Sequence, residues 1–120
     1  MPKEKKIELK DIIVEAIKER KGKDIVVLDL QNLEQSIADY FIVCHGDSST
    51  QVDAIADFID REVRSKLQEH PINKEGLDNL QWVLFDYADV VVHIFQEEYR
   101  KFYKLEELWA DAKKDVILEE

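Results

Sequence analysis

The sequence predicts an α/β fold: a single layered domain with a mixed sheet of about five strands and helices packed on it. Three observations lead there. Two long stretches place apolar residues at helical spacing, short β-branched runs alternate with them, and no repeat, low-complexity tract or linker divides the chain. The domain is expected to fill residues 1–120, with a core from about 7 to 109 and a polar C-terminal tail over 110–120.

Taken in order, Leu9, Ile12, Ile13, Ala16 and Ile17 follow a helical period, and Lys18, Arg20 and Lys21 before Gly22 mark a basic last turn with a glycine cap. Ile25 to Leu28 and Tyr40 to Cys44 are compact apolar runs that read as buried strands, joined by a polar loop around Asn32 to Ile37. After Gly46, the cap-forming residues Asp47 to Thr50 precede Val52, Ile55, Ala56, Ile59, Val63 and Leu67, which predict a long amphipathic helix from Thr50 to Gln68. Pro71 ends it, and a weak edge strand fits between Pro71 and Gly76. Gln81 to Tyr87 and Val90 to Phe95 form the clearest strand pair, turning at Ala88-Asp89. Glu97 and Glu98 suit the start of a last helical segment, whose apolar residues are Phe102, Tyr103, Leu105, Leu108 and Trp109.

Charge narrows the function. Acidic residues outnumber basic ones 27 to 17, a formal net charge of -10. Such a surface repels a phosphate backbone, so free nucleic acid is a poor ligand, whereas a basic protein is drawn in. Cys44 is the single cysteine, which excludes an intrachain disulfide and fits a reducing compartment. No signal peptide or membrane-length apolar run is present, so a soluble cytoplasmic protein is expected.

Few residues point to chemistry. Asp86 and Asp89 flank a turn, where they either hold Mg²⁺ beside a phosphorylated substrate or serve as turn formers. Gly46 to Ser49 lies between strand and helix, a place for a phosphate, yet a plain helix cap accounts for the same residues. His45, His70 and His93 have no metal-ligand spacing with one another or with Cys44, and no metal or cofactor is expected. His93 alternates with Val92 and Ile94 and is either a core histidine or a residue of a binding face. Trp82 shares its strand face with Leu84 and Asp86, while Val83, Phe85 and Tyr87 take the other, so Trp82 is either core or an interface anchor.

The segment from Gln81 to Phe95, followed by Arg100-Lys101-Phe102-Tyr103-Lys104-Leu105-Glu106-Glu107-Leu108-Trp109, closely resembles the ribosomal silencing factor (Iojap-like) family. Asp39 to Cys44, Gly46, Gln51-Val52 and Ala54-Ile55-Ala56 match the same family, so the resemblance spans nearly the whole domain. It implies a nucleotidyltransferase-like topology without enzymatic activity, and binding to the large ribosomal subunit through its protein fourteen. The small subunit is then blocked sterically, and translation is repressed when nutrients are short. The acidic charge leaves at most peripheral contact with rRNA, no membrane contact is expected, and an apolar partner-binding patch leaves a homodimer open for the free protein. Carried over by position, the family's strand and turn residues fall on Trp82, Asp86, Asp89 and His93, which together with Leu84 and Tyr87 are expected to bind the partner; Tyr103, Leu108 and Trp109 of the closing motif are expected to support the fold, with Trp109 extending the contact if exposed. Two positions depart from the family pattern. Ala88 stands where the turn usually has glycine, and Thr50 where a basic residue often precedes Gln51. The rival that the fold resemblance keeps open is an Mg-dependent nucleotidyltransferase; an adaptor for another basic protein is a third.

Overall fold

The computed structural model describes residues 3–34 and 36–118. Helix α1 (Lys3–Glu19) buries Leu9, Ile13, Ala16 and Ile17, the face its spacing predicts. Its end differs from expectation by one residue. Lys21 takes the left-handed conformation (φ 64°), donating its N–H to the Lys18 carbonyl, while the Gly22 N–H reaches the Ile17 carbonyl at 2.9 Å. This is a Schellman closure with lysine at the strained position. Glycine follows it because space is short: a Cβ on Gly22 would lie 2.3 Å from Ile17 Cγ2. Gly22→Ala is therefore expected to cost about 1–3 kcal/mol by overpacking, read as a lower urea midpoint with an unchanged slope.

Strands β1 (Lys23–Asp29) and β2 (Tyr40–Gly46) lead into helix α2 (Ser49–Leu67). Ser48 caps α2, its hydroxyl accepting the Gln51 N–H at 3.1 Å, while Gln51 Oε1 accepts the Asp47 N–H at 2.7 Å. This Ser-x-x-Gln arrangement is a variant of the capping box, reaching one residue further back. Val52, Ile55, Ala56, Ile59 and Val63 face inward. Next come the short β3 (Asn73–Glu75), β4 (Trp82–Asp86) and β5 (Val90–Gln96), then the helices α3 (Glu97–Tyr103) and α4 (Leu105–Leu108), and finally β6 (Lys113–Val116).

The sheet has six strands in the order β3-β4-β5-β2-β1-β6. The β2–β5 pair is parallel and the others are antiparallel, which makes the sheet mixed. A parallel pair needs a crossover, and α2 lies in it. β6 lies within the stretch expected to be a polar tail from residue 110; its side chains are all exposed, and it pairs with β1 through its backbone. Glu119 and Glu120 of that expected tail lie outside the described residues.

Helices α1 and α2 cover one face of the sheet, meeting Ile25, Val27, Ile42, Phe85, Val92 and Ile94 in the larger core. Cys44 sits there too, and burial pushes its thiol up to about 12, which makes it an inert apolar group. The opposite face carries a smaller cluster of Val26, Leu28, Leu30, Val43, Phe95 and Leu105. Among the described residues, α3 and α4 are the helices that pack on it, with Leu33 and Ala112 beside them. α3 has no buried residue and α4 only Leu105, so this second layer is thin. Among the described residues no helix is long and apolar enough to cross a membrane.

Candidate functional site

The thinly covered face holds a cluster of aromatic rings. Alternation along β4 sends Trp82, Leu84 and Asp86 there, and the antiparallel register sets them beside Phe95, His93 and Val91 respectively. Phe41 joins from β2, its ring edge-on to His93 at 4.7 Å. Trp82 stacks on Phe95 at 4.9 Å and meets Tyr103 of α3 at the same distance, while Trp109 stands edge-on to Phe41 at 5.5 Å. Trp82, Phe41, Leu84 and Trp109 are all half-buried. Beside them Phe102 and Leu108 are 74% and 76% exposed. Apolar side chains this large and this exposed, next to half-buried tryptophans, are the composition of an interaction surface.

At the centre of this cluster is a histidine with a fixed tautomer. The Trp82 indole N–H donates to His93 Nδ1 at 3.0 Å; an indole nitrogen has no acceptor capacity, so Nδ1 is bare and the proton rests on Nε2. His93 is 3% exposed, and burial lowers its pKa to about 4, keeping the ring neutral. Nε2 is buried with no hydrogen-bond partner among the described residues. A pH dependence follows. Below the unfolded value the unfolded chain takes up a proton that the folded ring refuses, so stability present at neutral pH is lost as pH falls from 6.5 toward 4. Between about pH 7.5 and about pH 5.5 the wild type should lose about 1.4 kcal/mol that a His93→Phe variant keeps, measured by urea denaturation of both proteins.

The other predicted residues separate. Asp86 lies on the aromatic face, but its Oδ1 accepts the Ala88 N–H at 2.8 Å, so the carboxylate shapes the turn. Ala88 has φ 76°, the left-handed geometry for which glycine is the unstrained choice. Asp89 lies at the start of β5, where its carbonyl accepts the N–H groups of Asp39 and Tyr40. Its charge also acts on Lys6, whose pKa is raised first by a hydrogen bond to Asp39 and further by Asp39 and Asp89 charge. The structure does not bring Tyr87 to the aromatic face. It is 4% exposed on the helix-covered side, as the two-residue period of Val83 and Phe85 requires. Burial, with the charge of Asp60 adding, pushes its hydroxyl above the ordinary value.

Beyond the far side of β2, Arg100 organises a polar network that the sequence does not announce. Its Nε donates to Glu106 at 2.9 Å, and its Nη1 reaches the Asp24 carbonyl at 2.7 Å and His45 Nδ1 at 3.0 Å. His45, Asp47 and Glu97 place possible metal-ligand atoms within 4.8 Å of one another. The tautomer argues against a metal: a guanidinium only donates, so His45 Nδ1 accepts and Nε2 carries the proton, facing Asp24 and Glu97 at 4.0 and 3.9 Å. Burial first, then Arg100, lowers the His45 pKa, and Asp24, Glu97 and Asp47 partly offset this. The Gly46–Ser49 corner offers little to a phosphate, because the Asp47 and Gln51 N–H groups are already bound by side chains of the cap.

The model of the family described as ribosomal silencing factor during starvation matches residues 3–120. The chain belongs to the ribosomal silencing factor family. It is 42% identical over 104 residues to the ribosomal silencing factor of Bacillus subtilis, covering 84% of each chain. It is 41% identical over 108 residues to that of Halalkalibacterium halodurans, covering 88% of each. A crystal structure of a Chromobacterium violaceum protein superposes with a TM-score of 0.81 at 34% identity, covering 92% of this chain and 91% of the other. The region matched to the silencing factors contains the whole aromatic face.

Proposed function

We propose that this silencing factor docks on the large ribosomal subunit through the face of Trp82, Leu84, Asp86 and His93, extended by Phe102 and Leu108, and contacts protein fourteen there. It acts by binding, in the cytoplasm, without catalysis. The observation that carries this reading is the half-exposed aromatic layer on a chain of net charge -10. Aromatic anchors supply contact energy, and the acidic field favours a basic ribosomal protein over bare rRNA. The domain measures 34 × 33 × 30 Å, so one seated on the intersubunit side would hold the small subunit off by its bulk. An interface of about 800 Å² per partner suffices to keep it in place. When nutrients are short, such occupancy lowers the number of joined ribosomes and with it translation.

The nucleotidyltransferase alternative has weaker support, since Asp86 is engaged in a turn and the corner after β2 in a helix cap. The deciding experiment is sedimentation of the protein with isolated large subunits, followed by addition of small subunits. Co-sedimentation with fewer joined ribosomes is the expected result. Free large subunits without bound protein would overturn it. Turnover of a nucleoside triphosphate with Mg²⁺ that disappears in Asp86→Asn would move the chain to the enzyme class.

A further inference from the structure

The strongest unexplained feature of the docking face is the buried donor of His93. Native proteins rarely leave such a group unpaired, because desolvating it without a partner is unfavourable. Here the unpaired state is maintained by construction. The Trp82 indole occupies Nδ1 at 3.0 Å, which fixes the proton on Nε2, and the edge-on Phe41 ring at 4.7 Å closes one side. A side chain stands roughly perpendicular to its strand, and Nε2 lies farther along the imidazole than Nδ1, so the free N–H points away from the sheet into the aromatic layer. Two rings hold that layer in place from outside, Tyr103 against Trp82 and Trp109 against Phe41. Both belong to the α3–α4 segment, in which Leu105 is buried, Tyr99 packs half-buried against the same cluster and Arg100 ties α3 to the Asp24 carbonyl and His45. The segment stays tied down by these contacts, but the Tyr103 ring is exposed and the Trp109 ring half-buried, so turning either aside uncovers little apolar surface.

We propose that the His93 Nε2–H is a concealed donor that takes up a neutral carbonyl oxygen of the docked protein, Tyr103 and Trp109 giving way to admit it. This rests on the docking reading above and adds the chemical feature that the face selects. A carboxylate is disfavoured as the incoming group, because Asp86 shares the face and a neutral imidazole offers no compensating charge. A main-chain or amide carbonyl flanked by apolar atoms meets both requirements, filling the aromatic layer and pairing the N–H. Because a partner without that oxygen leaves the donor buried and unpaired, the contact discriminates between partners more than it adds affinity.

Two measurements test this. In protein with ¹⁵N-labelled histidine, long-range proton–nitrogen spectra should place the His93 proton on Nε2; a proton on Nδ1 overturns the proposal whatever any variant does. Binding to isolated large subunits is then compared for wild type, His93→Phe and His93→Asn. The Asn side chain keeps an acceptor for the Trp82 indole but falls short of the Nε2 position, so it serves even if the Phe variant does not fold. Each folded variant should bind roughly tenfold more weakly than wild type. Undiminished binding by either folded variant, alongside a wild type that binds, sinks this inference alone, whereas a wild type that fails to bind sinks it together with the docking reading.

Discussion

Trp82→Ala should abolish measurable capture of large subunits while leaving a folded protein. The indole has two tasks that truncation removes at once. Its exposed part is available to a partner, and tryptophan anchors of this kind carry about 2 kcal/mol or more of binding, roughly thirtyfold in affinity or beyond. Its buried part stacks on Phe95, touches Tyr103 and donates to His93, so the layer beneath loosens as well. Full burial of a tryptophan would make the stability cost of truncation about 3–5 kcal/mol; for a half-buried ring about 2–3 kcal/mol is expected. A domain with ordinary stability tolerates that loss at room temperature. Native-like circular dichroism with lost co-sedimentation is thus the expected pair of results. Gross unfolding would assign Trp82 to the core, and retained binding would remove it from the interface.

Arg100→Met should be the most damaging substitution outside the two hydrophobic clusters. The side chain is only 11% exposed and ties α3 to Glu106, to the Asp24 carbonyl of β1 and to His45 of β2. Methionine fills similar space but leaves the Glu106 carboxylate, a carbonyl and a buried imidazole without their donor. Uncompensated groups of this type cost about 2–4 kcal/mol together, readable in urea denaturation. The same variant should change His45. Taking a positive charge away from the ring lets its pKa rise, although burial continues to hold it below the ordinary value. A titration of the ring by NMR that moves downward or stays in place would contradict the assigned contact, as would a stability loss under about 0.5 kcal/mol.

Much of the fold is legible in periodicity. The spacing of Leu9, Ile13 and Ile17 and of Val52, Ile55, Ile59 and Val63 marks the two long helices, because each must bury one stripe against the same sheet face. The strands of the centre are legible for the opposite reason, being apolar on both faces. That same property hides the site. In Tyr40 to Cys44 every residue is apolar, so nothing in the run says that Phe41 faces the aromatic layer while Ile42 and Cys44 face the helices; only the register with β5 does. The strand from Trp82 to Asp86 is half-exposed on one side, and there period-two arithmetic alone groups Trp82, Leu84 and Asp86 and sets Tyr87 apart. Arg100 is invisible in advance because two of its partners, a backbone carbonyl of β1 and a histidine ring of β2, come from distant positions. β6 escapes notice because an edge strand with Lys113, Lys114 and Asp115 exposed carries no hydrophobic signature at all.

That inconspicuous strand also guards the chain against aggregation. β6 pairs with β1 from Val26↔Val116 to Asp29↔Lys113 and so occupies the outer edge of an apolar run, Ile25 to Leu28. Its lysines present charge where the sheet ends, a feature that discourages further strands from adding. A chain clipped by a protease ahead of Lys113 would keep both hydrophobic clusters largely intact yet bare a β-branched edge with unpaired backbone groups. Such an edge is a template for intermolecular pairing, so the clipped form should be the first to precipitate from a mixture in which the intact domain stays dispersed.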